Sequence, residues 1–215
     1  MRIFPLLALS LLAPAAAAAQ SVTVERGNLY VRAPGDSAPR QITSSGRDRD
    51  ASFSPDKHII AFIRGTPGDS VDAGSGRADA GELWIIGADG RGARMLARGR
   101  DDQEPTRILA GMQSPRFSPD GGRIYFTSAA WATSGAIHVV EVTTGVERYV
   151  APGDLMDVVP SGKYAGHLIA SQHRYFLTAG SYDWLWLLTS DGVDVGPVGE
   201  SEAALEEFRE MYVDQ

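Results

Sequence analysis

A turn written Phe-Ser-Pro-Asp occurs twice, at Phe53-Ser54-Pro55-Asp56 and at Phe117-Ser118-Pro119-Asp120, with a worn third copy at Val158-Val159-Pro160-Ser161-Gly162. Proline presets φ at the second position of such a turn, and a glycine or polar residue closes it. A second signature recurs downstream, an apolar residue followed by an aromatic one: Leu29-Tyr30, Leu83-Trp84, Ile137-His138 and Leu185-Trp186. A turn follows each pair, at Pro34-Gly35-Asp36, Ala88-Asp89-Gly90, Thr143-Thr144-Gly145 and Ser190-Asp191-Gly192. The aromatic position therefore repeats at 30, 84, 138 and 186, with spacings of 54, 54 and 48 residues. A period of this size constrains the fold more than any single residue does, because a repeat this short cannot bury its own faces and must stack on its neighbours.

The stretch 115–150 shows the unit most clearly. It reads as strands over 116–118, 123–128, 136–142 and 147–150, separated by Pro-, Asp- and Gly-bearing turns. Four antiparallel strands per repeat predict propeller blades. The fold class expected is all-β: a small β-propeller of about four blades with a short C-terminal helix. The first blade is incomplete, with strands over 21–25, 28–32 and 40–42 and no proline turn before them. The blades could close into a small ring, or form an open arc that pairs with a second chain as a homodimer. Exposed strand edges are a hazard, which favours one compact domain over 20–199. In the tail, 200–215, Ser201 reads as an N-cap, and Ala204, Leu205, Phe208 and Met211 or Tyr212 share a helical face.

Residues 1–19 read as a secretory signal peptide. Arg2 supplies the charge, the run to Leu12 is broken only by Pro5 and Ser10, and Ala17-Ala18-Ala19 places cleavage after Ala19. The run is too short for a good membrane span, so the expected product is exported and not membrane-spanning. The net charge is -7, and loss of Arg2 makes it -8. That balance argues against nucleic acid as a partner. With no cysteine in the chain, an exported domain depends on its core alone, which suits a periplasm.

The Phe-Ser-Pro-Asp-Gly turn, the Ile-Tyr-Phe strand after it, and Leu-Trp leading to Ala-Asp-Gly together resemble the TolB-like β-propeller repeat of bacterial envelope proteins. The likeness is densest over 53–62, 83–96 and 116–150. It implies the propeller fold, a periplasmic location and a binding habit.

Residues just before each innermost strand ring one mouth of a propeller. Here they are Arg47, Asp48 and Asp50 in one repeat, Gln113 in the next, and Asp154 and Asp157 in the last. They read either as a polar mouth for a ligand or peptide, or as turn caps and blade-to-blade ion pairs. Tyr164, Tyr175, Phe176, Tyr182, Trp184 and Trp186 form the densest aromatic group. Tyr182, Trp184 and Trp186 alternate, so they share a sheet face. The loop 179–183, with Tyr182 and Asp183, is where exposure is expected. The Gly-rich insert 65–81 carries Asp69, Asp72 and Asp79 but lacks the spacing of a calcium loop, and reads as a mobile surface loop. His58, His138, His167 and His173 show no helical i, i+4 pair, and there is no G-x-S-x-G elbow. No metal or other cofactor is expected.

The leading expectation is a non-enzymatic binding module that docks an envelope protein or a cell-wall glycan. The alternatives are a lyase or hydrolase acting on a glycan or peptide in the channel, since fold alone does not decide activity, and a purely structural scaffold.

Overall fold

Strands follow the repeat. In the first sheet β1 (Ser21–Glu25), β2 (Asn28–Arg32) and β3 (Arg40–Gln41) lie in chain order. The second sheet holds β4 (Asp48–Phe53), β5 (Ile59–Arg64), β8 (Glu82–Gly87) and β9 (Arg94–Arg98). Between β5 and β8 the insert forms its own hairpin, β6 (Ser70–Asp72) with β7 (Arg77–Asp79). The third sheet is β10 (Gln113–Phe117), β11 (Arg123–Ala129), β12 (Gly135–Glu141) and β13 (Glu147–Pro152). The fourth is β14 (Asp154–Val158), β15 (Leu168–Tyr175), β16 (Ser181–Leu188) and β17 (Asp194–Gly199), and helix α1 (Glu202–Tyr212) ends the chain. This computed structural model describes residues 19–213 apart from 74, 75, 133 and 178. The expected targeting segment lies outside the described residues except for Ala19.

Each proline turn is knitted by its own side chains. The Ser54 hydroxyl donates to Asp56 at 2.6 Å and accepts from the Ile59 amide at 2.9 Å. Ser118, Asp120 and Arg123 repeat that network in the third sheet. Gly121 takes the left-handed position that Lys57 occupies in the first copy. The worn copy has a different task. Gly162 (φ +77°) lets the Tyr212 carbonyl approach where a Cβ would sit, Ser161 donates to the Val213 carbonyl at 3.1 Å, and Lys163 lies over the rings of Tyr164 and Tyr212. Its departures from the repeat thus seat the C-terminal helix.

The core is built between sheets. Leu29 and Val31 meet Ile60, Phe62 and Ile86 at the first seam. Ile63, Leu83 and Ile85 meet Ile124, Phe126 and Val140 at the second. Tyr125, Ile137 and Val139 meet Leu155, Leu168 and Leu188 at the third. The far face of the fourth sheet (Ile169, Leu185, Leu187) is then covered by Leu205 and Phe208 of α1. Ser201 caps that helix by accepting from the Ala204 amide at 3.3 Å. At the other end, the outward face of the first sheet is polar: Ser21, Thr23 and Glu25 sit opposite Arg32, Tyr30 and Asn28. Among the described residues no apolar cluster joins the first sheet to the fourth. The stack is capped at both ends, by a polar sheet face and by a helix, as serial repeats require.

The insert departs from expectation. Val71, Ala73 and Ala80 are buried in a satellite core with Ile108 and Ala110. Small apolar residues alternating between glycines carry little hydrophobic signal, yet they suffice to seat a hairpin on the loop that leads into β10.

Candidate functional site

The candidate residues divide into three groups. Asp48 opens β4 and is 2 % exposed. Its carboxylate takes two bonds from Arg64, at 2.7 and 3.1 Å, and one from the Ser45 hydroxyl at 2.7 Å. Burial works against its charge, but the hydrogen bonds from Arg64, Thr43 and Ser45 prevail and hold the carboxyl below its ordinary value. Asp48 is therefore corrected from a ligand contact to an internal brace, because every side of its carboxylate faces protein. Asp157, which is partly exposed, pairs with Arg209 of α1 at 2.8 Å.

The second group stays at the surface where β4 lies beside β10. Arg49 donates to the Met112 carbonyl at 2.6 Å, next to Gln113, and sits 3.5 Å from both Asp50 and Asp79. Asp79 in turn accepts from the amide and hydroxyl of Thr66 at 3.1 and 3.0 Å. Asp50 (φ 51°) and Ser114 (φ 54°) occupy matching left-handed positions, each inside the bulge of its inner strand. Such positions cost energy for non-glycine residues. Arg47 and Gln113 are exposed beside them. Asp154 lies apart, on β14 and against Gly135. Burial pushes its carboxyl up, opposed by a hydrogen bond from the Gly135 backbone.

The third group is the aromatic hairpin. β15 and β16 pair over eight residues each, from Leu168 with Leu188 to Tyr175 with Ser181. Their neighbours are shorter: β14 reaches only Ser171 and β17 only Leu185. Residues 172–175 and 181–184 consequently stand out as a two-stranded ribbon. One ribbon face carries Gln172, Arg174, Tyr182 and Trp184, in line with Trp186. Arg174 lies 3.4 Å over the Trp186 ring, pairs with Asp194 at 2.7 Å and also bonds Gln172. Gln172 is itself fixed to the Pro152 carbonyl at 2.6 Å. Further out, Trp184 meets Tyr182 edge-on at 5.6 Å and Tyr182 meets Phe176 at 4.8 Å. The other ribbon face holds the His173–Asp183 pair at 2.8 Å, with Tyr175 against His173. At the tip, Tyr175 and Phe176 are 73 % and 58 % exposed and Leu177 is fully exposed.

The expected common face of Tyr182, Trp184 and Trp186 is therefore present, and the loop 179–183 is exposed apart from the half-buried Tyr182. Tyr164 belongs elsewhere, packed under α1 against Phe208 and Tyr212. Leu177 was missed by sequence reasoning, although the run Tyr175-Phe176-Leu177 beside Gly180 was a visible signal. A cleft of about 350 Å³ at the third seam, lined by Asp120, Arg123, Tyr125, His167 and Ser190, had no sequence signal, because its lining comes from turns far apart in the chain.

No protein-family model and no curated protein matches the chain. Solved structures do match its fold. A protein assigned as a TolB from Agrobacterium tumefaciens aligns with a TM-score of 0.57 and 17 % identity, over 85 % of this chain and 58 % of that one. The structure resembles the TolB-like β-propellers. An oligogalacturonate lyase solved with manganese aligns at 0.53 and 16 % identity, over 80 % of this chain and 42 % of its own. A gluconolactonase from Xanthomonas campestris aligns at 0.52 and 16 % identity, over 84 % and 58 %. The chain spans 42–58 % of the length of these three proteins. At such identities the TolB-like resemblance speaks for fold, and the neighbours include enzymes as well as a TolB.

Proposed function

We propose that the chain is a periplasmic, non-enzymatic binding module that docks an envelope protein or cell-wall component through the ribbon of blade four, with Arg47, Asp50 and Gln113 as a polar surface beside the inner strands. The observation that carries this reading is the ribbon tip. Tyr175, Phe176 and Leu177 present adjoining apolar surface to solvent on a stalk braced by Arg174, Gln172 and Asp194. Solvent-facing apolar groups of this kind mark interaction sites, and a braced aromatic loses little conformational freedom on binding. The stack supplies the rigid base and the ribbon the contact.

The enzyme alternative rests on one feature, the carboxyl of Asp154, whose pKa burial raises against the hydrogen bond from the Gly135 backbone.

A photo-crosslinker placed at Leu177 in cells tests the docking reading, with one at exposed Val146 as control. One dominant adduct at Leu177 that is absent at Val146 is the expected result. If both positions give the same adducts, or Leu177 gives none while the control reagent works, the reading fails. Glycan binding and Asp154-dependent turnover are then the next assays.

A further inference from the structure

The first blade has three strands where the others have four, and the strand left at its inner edge is β1. The Arg26-Gly27 turn has both φ values positive, 49° and 72°, which is the two-residue hairpin geometry with Glu25 and Asn28 as the closing bonded pair. Alternation then fixes the rest. Thr23 and Ser21 spend their backbone groups on β2, and the N–H and C=O of Val22 and Val24 point outward from the sheet. No backbone partner for these groups exists among the described residues.

Among the described residues, every other free edge strand is interrupted. The inner strands β4, β10 and β14 each carry a bulge, and β10 carries Pro115. On the outer side, β3 has two residues, β9 has a bulged pairing and an arginine at each end, β13 ends at Pro152, and β17 contains Pro197 and two register shifts. β6 and β7 have three residues each. Bulges, prolines, charges and shortness are the devices that keep edges from pairing. β1 lacks all of them except a terminal Glu25, and it pairs with β2 in unbroken register over five residues.

We propose that β1 is a self-association edge, and that two copies of this chain pair β1 to β1 antiparallel about a two-fold axis at Thr23. The sequence Ser21-Val22-Thr23-Val24-Glu25 is symmetric in pattern, and that symmetry names the occupant. With the axis at Thr23, Val22 of each copy faces Val24 of its partner, and these are the residues whose backbone groups point outward. Four ladder hydrogen bonds follow. Valine meets valine on the core-side face, where Val24 is still 38 % exposed. On the polar face Ser21 meets Glu25 and Thr23 meets Thr23, so no like charges oppose one another. Such an isologous contact uses the same patch twice. It is small beside a standard interface, so the dimer is weak and concentration-dependent. It lies on blade one, away from the docking ribbon, and stands whether or not that ribbon binds anything.

Light scattering after size exclusion, from about 5 μM to 1 mM, reads the association of the purified protein. The wild type shifts from monomer towards dimer over this range. Val24→Pro removes one outward N–H per copy without touching the β1–β2 ladder, and Thr23→Lys sets two ammonium groups opposite each other; both stay monomeric with unchanged circular dichroism. Thr23→Glu alone is also monomeric, and an equimolar mixture with Thr23→Lys recovers the dimer. A wild type that stays monomeric throughout overturns the proposal, and hydrogen exchange at Val24 then shows whether another segment covers the edge. A dimer unaffected by Val24→Pro, or a mixture that fails to recover one, overturns it as well.

Discussion

Arg64 grips both carboxylate oxygens of Asp48, at 2.7 and 3.1 Å, while its own guanidinium lies over the rings of Phe62 and Trp84. The pair joins the first two strands of blade two at the point where the chain enters from blade one, and Ser45 on the entering loop completes it.

Asp48→Ala is expected to destabilise the protein by about 3–5 kcal/mol, because it strands a half-buried cation whose partner was fully desolvated. Urea unfolding measures this, and a loss below about 1 kcal/mol would show that the pair is incidental.

The same geometry sets an acid limit. The Glu147 side chain is largely covered and bonded to His138 Nδ1 at 2.5 Å and to Arg100 at 2.6 Å. Burial opposes its charge, but the bonds from His138 and Arg100 outweigh that and lower its pKa, as happens at Asp48. For a carboxyl depressed on folding, the stability is present above the unfolded pKa of about 4 and is lost as pH falls through the folded value. Tm is therefore expected to be flat from pH 8 to about pH 5 and to drop below pH 4. Asp154 has the opposite sign. Its raised value gives stability that is full below the unfolded pKa and fades as pH rises. Asp154→Asn should raise Tm at pH 7, by about 2–4 °C for each kcal/mol gained, and leave it unchanged at pH 3.

Most of the fold was legible because the repeat announces it. Period, proline turns and the Leu-Trp pairs placed all four sheets, and the three strands of blade one fell where the sequence put them. The mouth was less legible. Asp48, Asp50 and Asp157 look alike in sequence, yet Asp48 meets an arginine one strand over, Asp157 meets one on the terminal helix 52 residues later, and Asp50 stays exposed. Side-chain partners at such separations are set by packing, which a single chain's pattern does not encode. The length mismatch that frees the ribbon was hidden for a related reason: strand ends depend on where the neighbours stop.

Helix α1 is the cap that makes an open stack viable. Phe208 is buried against the far face of blade four and stacks with Tyr164. Phe208→Ala should cost about 3–5 kcal/mol. It should also raise binding of a hydrophobic dye, since Ile169, Leu185 and Leu187 lose part of their cover. A cost under 1 kcal/mol with no dye response would mean that the helix is dispensable.

The ribbon tip predicts a separation between stability and docking. Phe176 and Leu177 touch little of the protein's core, and surface positions of this kind usually change stability by no more than about 0.5 kcal/mol. Phe176→Ser with Leu177→Ser should therefore leave Tm within about 2 °C of wild type. It should abolish the Leu177-region crosslink, read from a neighbouring position such as Ala179. Arg174→Ala acts on the stalk instead. It removes the stack on Trp186 and the bonds to Gln172 and Asp194, so it should lower both Tm and docking. If the double variant lost as much stability as Arg174→Ala, the tip would be a packing element and the ribbon would have no claim as a docking surface.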